Sequence, residues 1–133
     1  MTDPEDQMAH YVETMGAVPE AIQRMSELST EFFDSYTAIR KLAYSDSEGG
    51  LSLRHKELLF TILDVTVSNR DGALNHLRAA RRAGLTDAEL RDALIITFIV
   101  RGVASWGLVG QDLWAEATQD GYGQNVAGAP TDE

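Results

Sequence analysis

No cysteine occurs anywhere in the 133 residues. That absence removes disulfides, thiolate nucleophiles, iron–sulfur clusters and cysteine-ligated zinc together. Basic side chains are scarce: 11 Lys and Arg stand against 21 Asp and Glu, a net charge of −10. Such a chain repels a phosphate backbone and lacks the attraction behind most non-specific nucleic-acid affinity, so nucleic acid is not expected as a partner. Long apolar runs are missing as well. The longest, 93–100, is interrupted by Thr97 and closed by Arg101, far short of the roughly 20 residues that span a bilayer, and no membrane segment is expected. The first residues carry acid (Asp3, Glu5, Asp6) where a secretory signal carries base and then an apolar stretch, which points to the cytoplasm.

What is present is an ordinary globular composition, 44% hydrophobic and 24% charged, enough for one core. Residues 1–16 are polar and weakly periodic, and 121–133 are rich in Gly, Ala, Pro and acid. The sequence therefore predicts a loosely ordered arm over 1–16, a single all-helical domain over 17–120 and a flexible tail over 121–133. Pro19 suits a first helical position, and Met25, Leu28, Phe32, Tyr36 and Ile39 then recur at helical spacing along one long helix, as a core or subunit-contact stripe. The turn formers at 45–50 end it. Ser52 can cap a second helix over 53–67, Ser68 and Asn69 break the chain before a third over 70–83, and Gly84 closes that one. Thr86 and Glu89 form a capping box for a fourth helix. This helix is apolar nearly all round, so it is either central to a core or buried by other subunits, which suggests an oligomer. Gly102 kinks or ends it, and 106–118 supply a fifth helix.

Without thiols, the catalytic vocabulary is carboxylate, imidazole and guanidinium. No His-x-x-x-His, Glu-x-x-His, calcium loop or glycine-rich phosphate loop is present, so no metal site is expected. His55 and Glu57 are too close in sequence to share a helix face, and His55 reads as a surface residue. His76 lies in mid-helix beside Gly72, Ala73, Ala80 and Ala83, which leave space next to it. It is either a core histidine with one nitrogen satisfied by a carbonyl or a working acid. Glu57 is likewise either a solvated first-turn acid favoured by the helix dipole or part of a site.

The order Leu53-Arg54-His55-Lys56-Glu57-Leu58-Leu59, then Asn75-His76-Leu77-Arg78-Ala79-Ala80 leading to Gly84 and the Thr86–Glu89 box, then Val100-Arg101-Gly102, resembles the carboxymuconolactone decarboxylase family. In its alkylhydroperoxidase D-like branch, Asn69 and Gly72 would be the two cysteine positions and Glu57 and His76 the matching acid and base. The thiols are gone, so thiol peroxidase chemistry is chemically closed. Val100 and Ala104 also depart from the family's aromatic and proline. The resemblance implies a small helical bundle assembling into trimers or hexamers. It also implies cofactor-free decarboxylation of a small anionic substrate, a carboxylated lactone or oxo-acid. In that reading His76 is the proton donor, Glu57 orients it and favours the imidazolium, and Arg101 holds the substrate anion, with Arg54 and Arg70 as secondary candidates. The alternatives are Arg101 in a structural ion pair or simply exposed, and a chain that keeps the fold either as a non-catalytic ligand-binding or accessory protein or as an isomerase or hydrolase working by acid/base chemistry.

Overall fold

The computed structural model describes residues 3–119; the expected tail over 121–133 lies outside them. Among the described residues every regular element is a helix, and none is long and apolar enough to cross a membrane. The described residues form two compact units that divide after Gly50.

The first unit holds α1 (Pro4–Met15), α2 (Glu20–Leu28) and α3 (Thr30–Tyr44). The arm expected over 1–16 is thus largely helix. Asp3 caps it by accepting from the Glu5 amide, Pro4 occupies its first turn, and Gly16 ends it in the left-handed region at φ 82°. The single long helix expected after Pro19 is two. Ser29 adopts an extended conformation, and its hydroxyl accepts from the Phe32 amide to start α3 afresh. The break resets which residues face inward. Phe33, Thr37 and Arg40 are buried, whereas Leu28, Phe32, Tyr36 and Ile39 from the apolar stripe are exposed. Hydrogen bonds make the polar inner face tolerable: Tyr11 OH and Thr37 Oγ1 share one at 2.7 Å, and Lys41 Nζ donates to Gln7 Oε1 at 2.7 Å. Arg40 lies over the rings of Tyr11 and Tyr44, 5.4 and 4.9 Å from their centroids.

The second unit holds α4 (Leu53–Thr66), α5 (Arg70–Arg82), α6 (Asp87–Arg101), the short α7 (Val103–Ser105), a π-helical turn (Trp106–Gly110) and α8 (Gln111–Ala117). The expected fifth helix is therefore a π turn running into α8. Its core gathers Val65, Ala73, Leu77, Ala80, Leu90, Leu94, Val109 and Leu113, all at most 5% exposed. The Thr86–Glu89 capping box is present with both of its bonds. Helix α6 is not central within this unit: Leu90, Leu94 and Thr97 face inward, while Ile96, Ile99 and Val100 are 62, 77 and 76% exposed.

Candidate functional site

Helices α4 and α5 bring the site together. Ser52 caps α4, accepting from the His55 amide, and Asn69 caps α5, accepting from the Gly72 amide at 3.3 Å. Between the helices Ser68 takes a positive φ of 59°, which turns the chain back within a few residues. Asn69 and Gly72, the thiol positions suggested by the family resemblance, are here a helix cap and the amide it caps.

The tight reversal packs α5 closely along α4 and lets side chains 19 residues apart meet. On α4, Glu57, Thr61 and Val65 recur every four residues and form its buried face. Thr61 is fully buried, and its hydroxyl donates back to the Glu57 carbonyl at 2.7 Å. On α5, Ala73 and Ala80 stand one turn before and one turn after His76 and are fully buried.

Nδ1 of His76 lies 2.7 Å from Oε2 of Glu57, with the two side chains 7% and 1% exposed. A buried carboxylate is costly unless it is paired, and this length is that of a charge-assisted hydrogen bond. Glu57 is therefore no solvated first-turn acid; it lies beyond the first turn of α4 and faces inward. The partner of His76 is a carboxylate, where the sequence offered a carbonyl as the ordinary choice. With Nδ1–H donating to Glu57, Nε2 is the nitrogen left over. It has no hydrogen-bond partner among the described residues, and it is not one of the polar atoms sealed from solvent. The pair can hold a proton at Nε2 and release it to something outside.

Phe60 is the neighbour that the sequence reading missed. Its ring stacks on the His76 imidazole with centroids 4.6 Å apart and planes 15° from parallel. The available signal was its spacing, three residues beyond Glu57 on the same helix, which puts both side chains on adjoining faces.

The three arginines proposed to bind anion differ in their surroundings. Arg54 faces Glu89 in an ion pair at 3.4 Å. Partial burial pushes the Glu89 carboxyl up, but the Thr86 amide and hydroxyl and the Arg54 charge outweigh that and hold it below its ordinary value. Arg70 Nε donates to Asp112 Oδ2 at 2.9 Å. Arg101 is exposed at the last residue of α6 and makes no ion pair with a described residue. His55 is exposed, as expected, with Nδ1 2.9 Å from the Ser52 hydroxyl. An open groove of about 380 Å³ lies elsewhere on this unit, lined by Arg91, Leu94, Phe98, Ile99, Trp106 and Trp114 among others, and neither His76 nor Glu57 lines it. Among the described residues no group of three or more His, Asp or Glu is placed to share a metal ion.

Residues 30–107 match the carboxymuconolactone decarboxylase family. Among solved structures, the chain is similar to a crystal structure from Burkholderia xenovorans LB400 provisionally described as a carboxymuconolactone decarboxylase. The two are 33% identical, the match covers 96% of each chain, and the TM-score is 0.83. No curated protein matches the chain at a significant level.

Proposed function

Because this chain belongs to the carboxymuconolactone decarboxylase family, we propose that it is a cofactor-free decarboxylase of a small carboxylated lactone or oxo-acid. His76 is its general acid and Glu57 the group that orients it. The observation that supports this most is the buried 2.7 Å bond from His76 Nδ1 to Glu57, which leaves Nε2 unpartnered and open.

Such a reaction makes three demands. The substrate anion must be held, the oxygen on which charge develops must be stabilised, and a proton must reach carbon. In a lactone whose carboxylate is vinylogous to the ring carbonyl, the bond to carbon dioxide breaks and its electron pair enters the ring as a dienolate. Nε2–H of the imidazolium then gives its proton to carbon, and water restores it. Glu57 compensates the imidazolium charge in a site with little water, where a neutral partner would not. A general acid of this kind is worth about 10²–10⁴ in rate. Arg101 is assigned to the substrate carboxylate because its guanidinium is exposed and makes no ion pair with a described residue; Arg54 and Arg70 would first have to exchange Glu89 and Asp112. The exposed apolar faces of α3 and α6 support assembly into a homo-oligomer, for which the family resemblance implies a trimer or hexamer.

The groove lined by Trp106 and Trp114 favours a second reading, a ligand-binding protein that kept the fold without the chemistry. One assay separates the two. Carbon dioxide release is followed over a panel of lactone and β-oxo carboxylic acids with the native protein, His76→Ala and Glu57→Gln. Release that both substitutions abolish, with fold and assembly intact, is the expected result. No turnover across the panel, or turnover indifferent to both changes, rejects the decarboxylase.

A further inference from the structure

The bond to Glu57 fixes one atom of the His76 ring and leaves the ring plane undetermined, because an imidazole can tilt about a single hydrogen bond without breaking it. Proton transfer to carbon depends on direction as well as distance, so a ring held at one atom is held incompletely. Some second contact has to fix the plane.

We propose that Phe60 is the positioning residue that fixes the plane of the His76 imidazole, so that α4 supplies both restraints on the ring: Glu57 in its plane and Phe60 on its face. The stack is close and nearly parallel, 4.6 Å between centroids at 15°, within the range of offset aromatic pairs. Phe60 follows Glu57 by three residues, so one helical segment carries both groups and neither can move without the other. Ala73 and Ala80 on α5 present no side chain large enough to do the same work. Phe60 is half-buried and covers one face of the ring, so a substrate must meet Nε2 from the ring edge or the opposite face. That restriction would set which face of a planar carbanion receives the proton. The role assigned here rests on the reading of His76 as acid, but the ring geometry can be measured without any substrate.

The test is nuclear magnetic resonance of the native protein with ¹⁵N- and ¹³C-labelled histidine, alongside Phe60→Leu and Phe60→Tyr. In the native protein the His76 ring protons are expected upfield from the ring current of Phe60, with neutral His76 in the Nδ1–H tautomer alone. Phe60→Leu should abolish the upfield shift and lower the order parameters of the ring Cδ2–H and Cε1–H bonds, with the Nδ1–H tautomer that Glu57 fixes kept, while Phe60→Tyr should retain the native shift and the native ring order. Where turnover is found, Phe60→Leu should lower kcat roughly ten-fold with KM nearly unchanged, and Phe60→Tyr should restore it. A native protein without the upfield shift overturns the proposal, as does a Phe60→Leu protein whose His76 ring stays as ordered as the native one. Should the ring lose its order in Phe60→Leu while no substrate turns over in any variant, it is the decarboxylase reading that falls and the positioning that stands.

Discussion

His76 and Glu57 share a 2.7 Å hydrogen bond between side chains almost wholly shut off from water. Breaking it from either side takes a buried hydrogen bond away from the group that remains, and removing one partner of a buried pair costs about 3–5 kcal/mol. Urea unfolding of Glu57→Ala and His76→Ala should each show a loss of that order. Glu57→Gln, which keeps an acceptor for Nδ1–H, should lose less. In the double alanine variant the shared bond is lost only once, so its loss should fall well short of the sum of the two. Additive losses would show that the two side chains do not depend on each other.

Much of this arrangement is legible from local signals. Thr86 and Glu89, Ser52 and Asn69 all cap helices where the sequence places them, because a cap is decided by a few adjacent residues. The pairing of Glu57 with His76 could be suspected from their match to the family pattern, but only the turn at Ser68 shows how closely the two approach. Phe60 was invisible because an aromatic at a helical position reads first as core. In the first unit the apolar stripe misleads. The break at Ser29 shifts the register, and hydrogen bonding lets Thr37 and Arg40 go inward while Phe32 and Ile39 stay out. Periodicity counts apolar residues and has no means of seeing a polar face that side-chain hydrogen bonds hold inward.

At the start of α5 two residues compensate for each other. Asn69 Oδ1 accepts from the Gly72 amide, and Asn69 Nδ2 donates to Asp64 Oδ1 at 3.2 Å. A Cβ on Gly72 would come within 2.4 Å of Asn69 Nδ2 and 2.6 Å of Asp64 Oδ2, so it must push both aside. Asn69→Ala should cost about 1 kcal/mol as a lost cap. Gly72→Ala alone should also destabilise, because losing the cap and crowding Asp64 outweigh the roughly 1 kcal/mol of helix propensity it gains. In the Asn69→Ala background the cap is already gone, and Gly72→Ala should become neutral or stabilising. Thermal melts of the four proteins decide this, and a Gly72→Ala effect that is the same in both backgrounds would contradict it.

Acid should weaken the first unit through His10. This side chain is 8% exposed, its Nε2 is buried without a hydrogen-bond partner, and its ring stands edge-on to Tyr11 and Tyr44. Burial pushes its pKa below the ordinary 6.5, the charges of Arg40 and Lys41 push it further, and Glu13 opposes them. With the folded value depressed, the unfolded chain takes up the proton first as pH falls. The stability is therefore intact above 6.5 and is lost progressively from there down through the lower folded value. Near-ultraviolet circular dichroism from Tyr11, Tyr36 and Tyr44 follows this unit, since Trp106 and Trp114 both lie in the other. Its midpoint should fall between pH 7.5 and pH 5, and His10→Gln, which cannot charge, should flatten that fall. An equal slope in the two proteins would assign the acid sensitivity elsewhere.

The outer face of α6 predicts what the chain does at working concentration. Ile96, Ile99 and Val100 are 62, 77 and 76% exposed, and Val103 continues the patch at 68%. Soluble monomers rarely leave so much contiguous apolar surface in water, and burying it against another copy gains about 25 cal/mol per Å². Light scattering after size exclusion should therefore give a mass above that of one chain, and three or six chains if the assembly is the one that the family resemblance implies. Ile99→Asp should lower that mass, because the carboxylate would have to be desolvated in the contact without a partner. Since Ile99 makes little contact within its own chain, the substituted protein should keep its helical circular dichroism, so a change in mass cannot be a consequence of unfolding. A native monomer would remove the oligomer altogether. An Ile99→Asp protein of unchanged mass would instead move the contact to the other exposed stripe, Leu28, Phe32 and Ile39, where the same substitution at Ile39 would be the next to make.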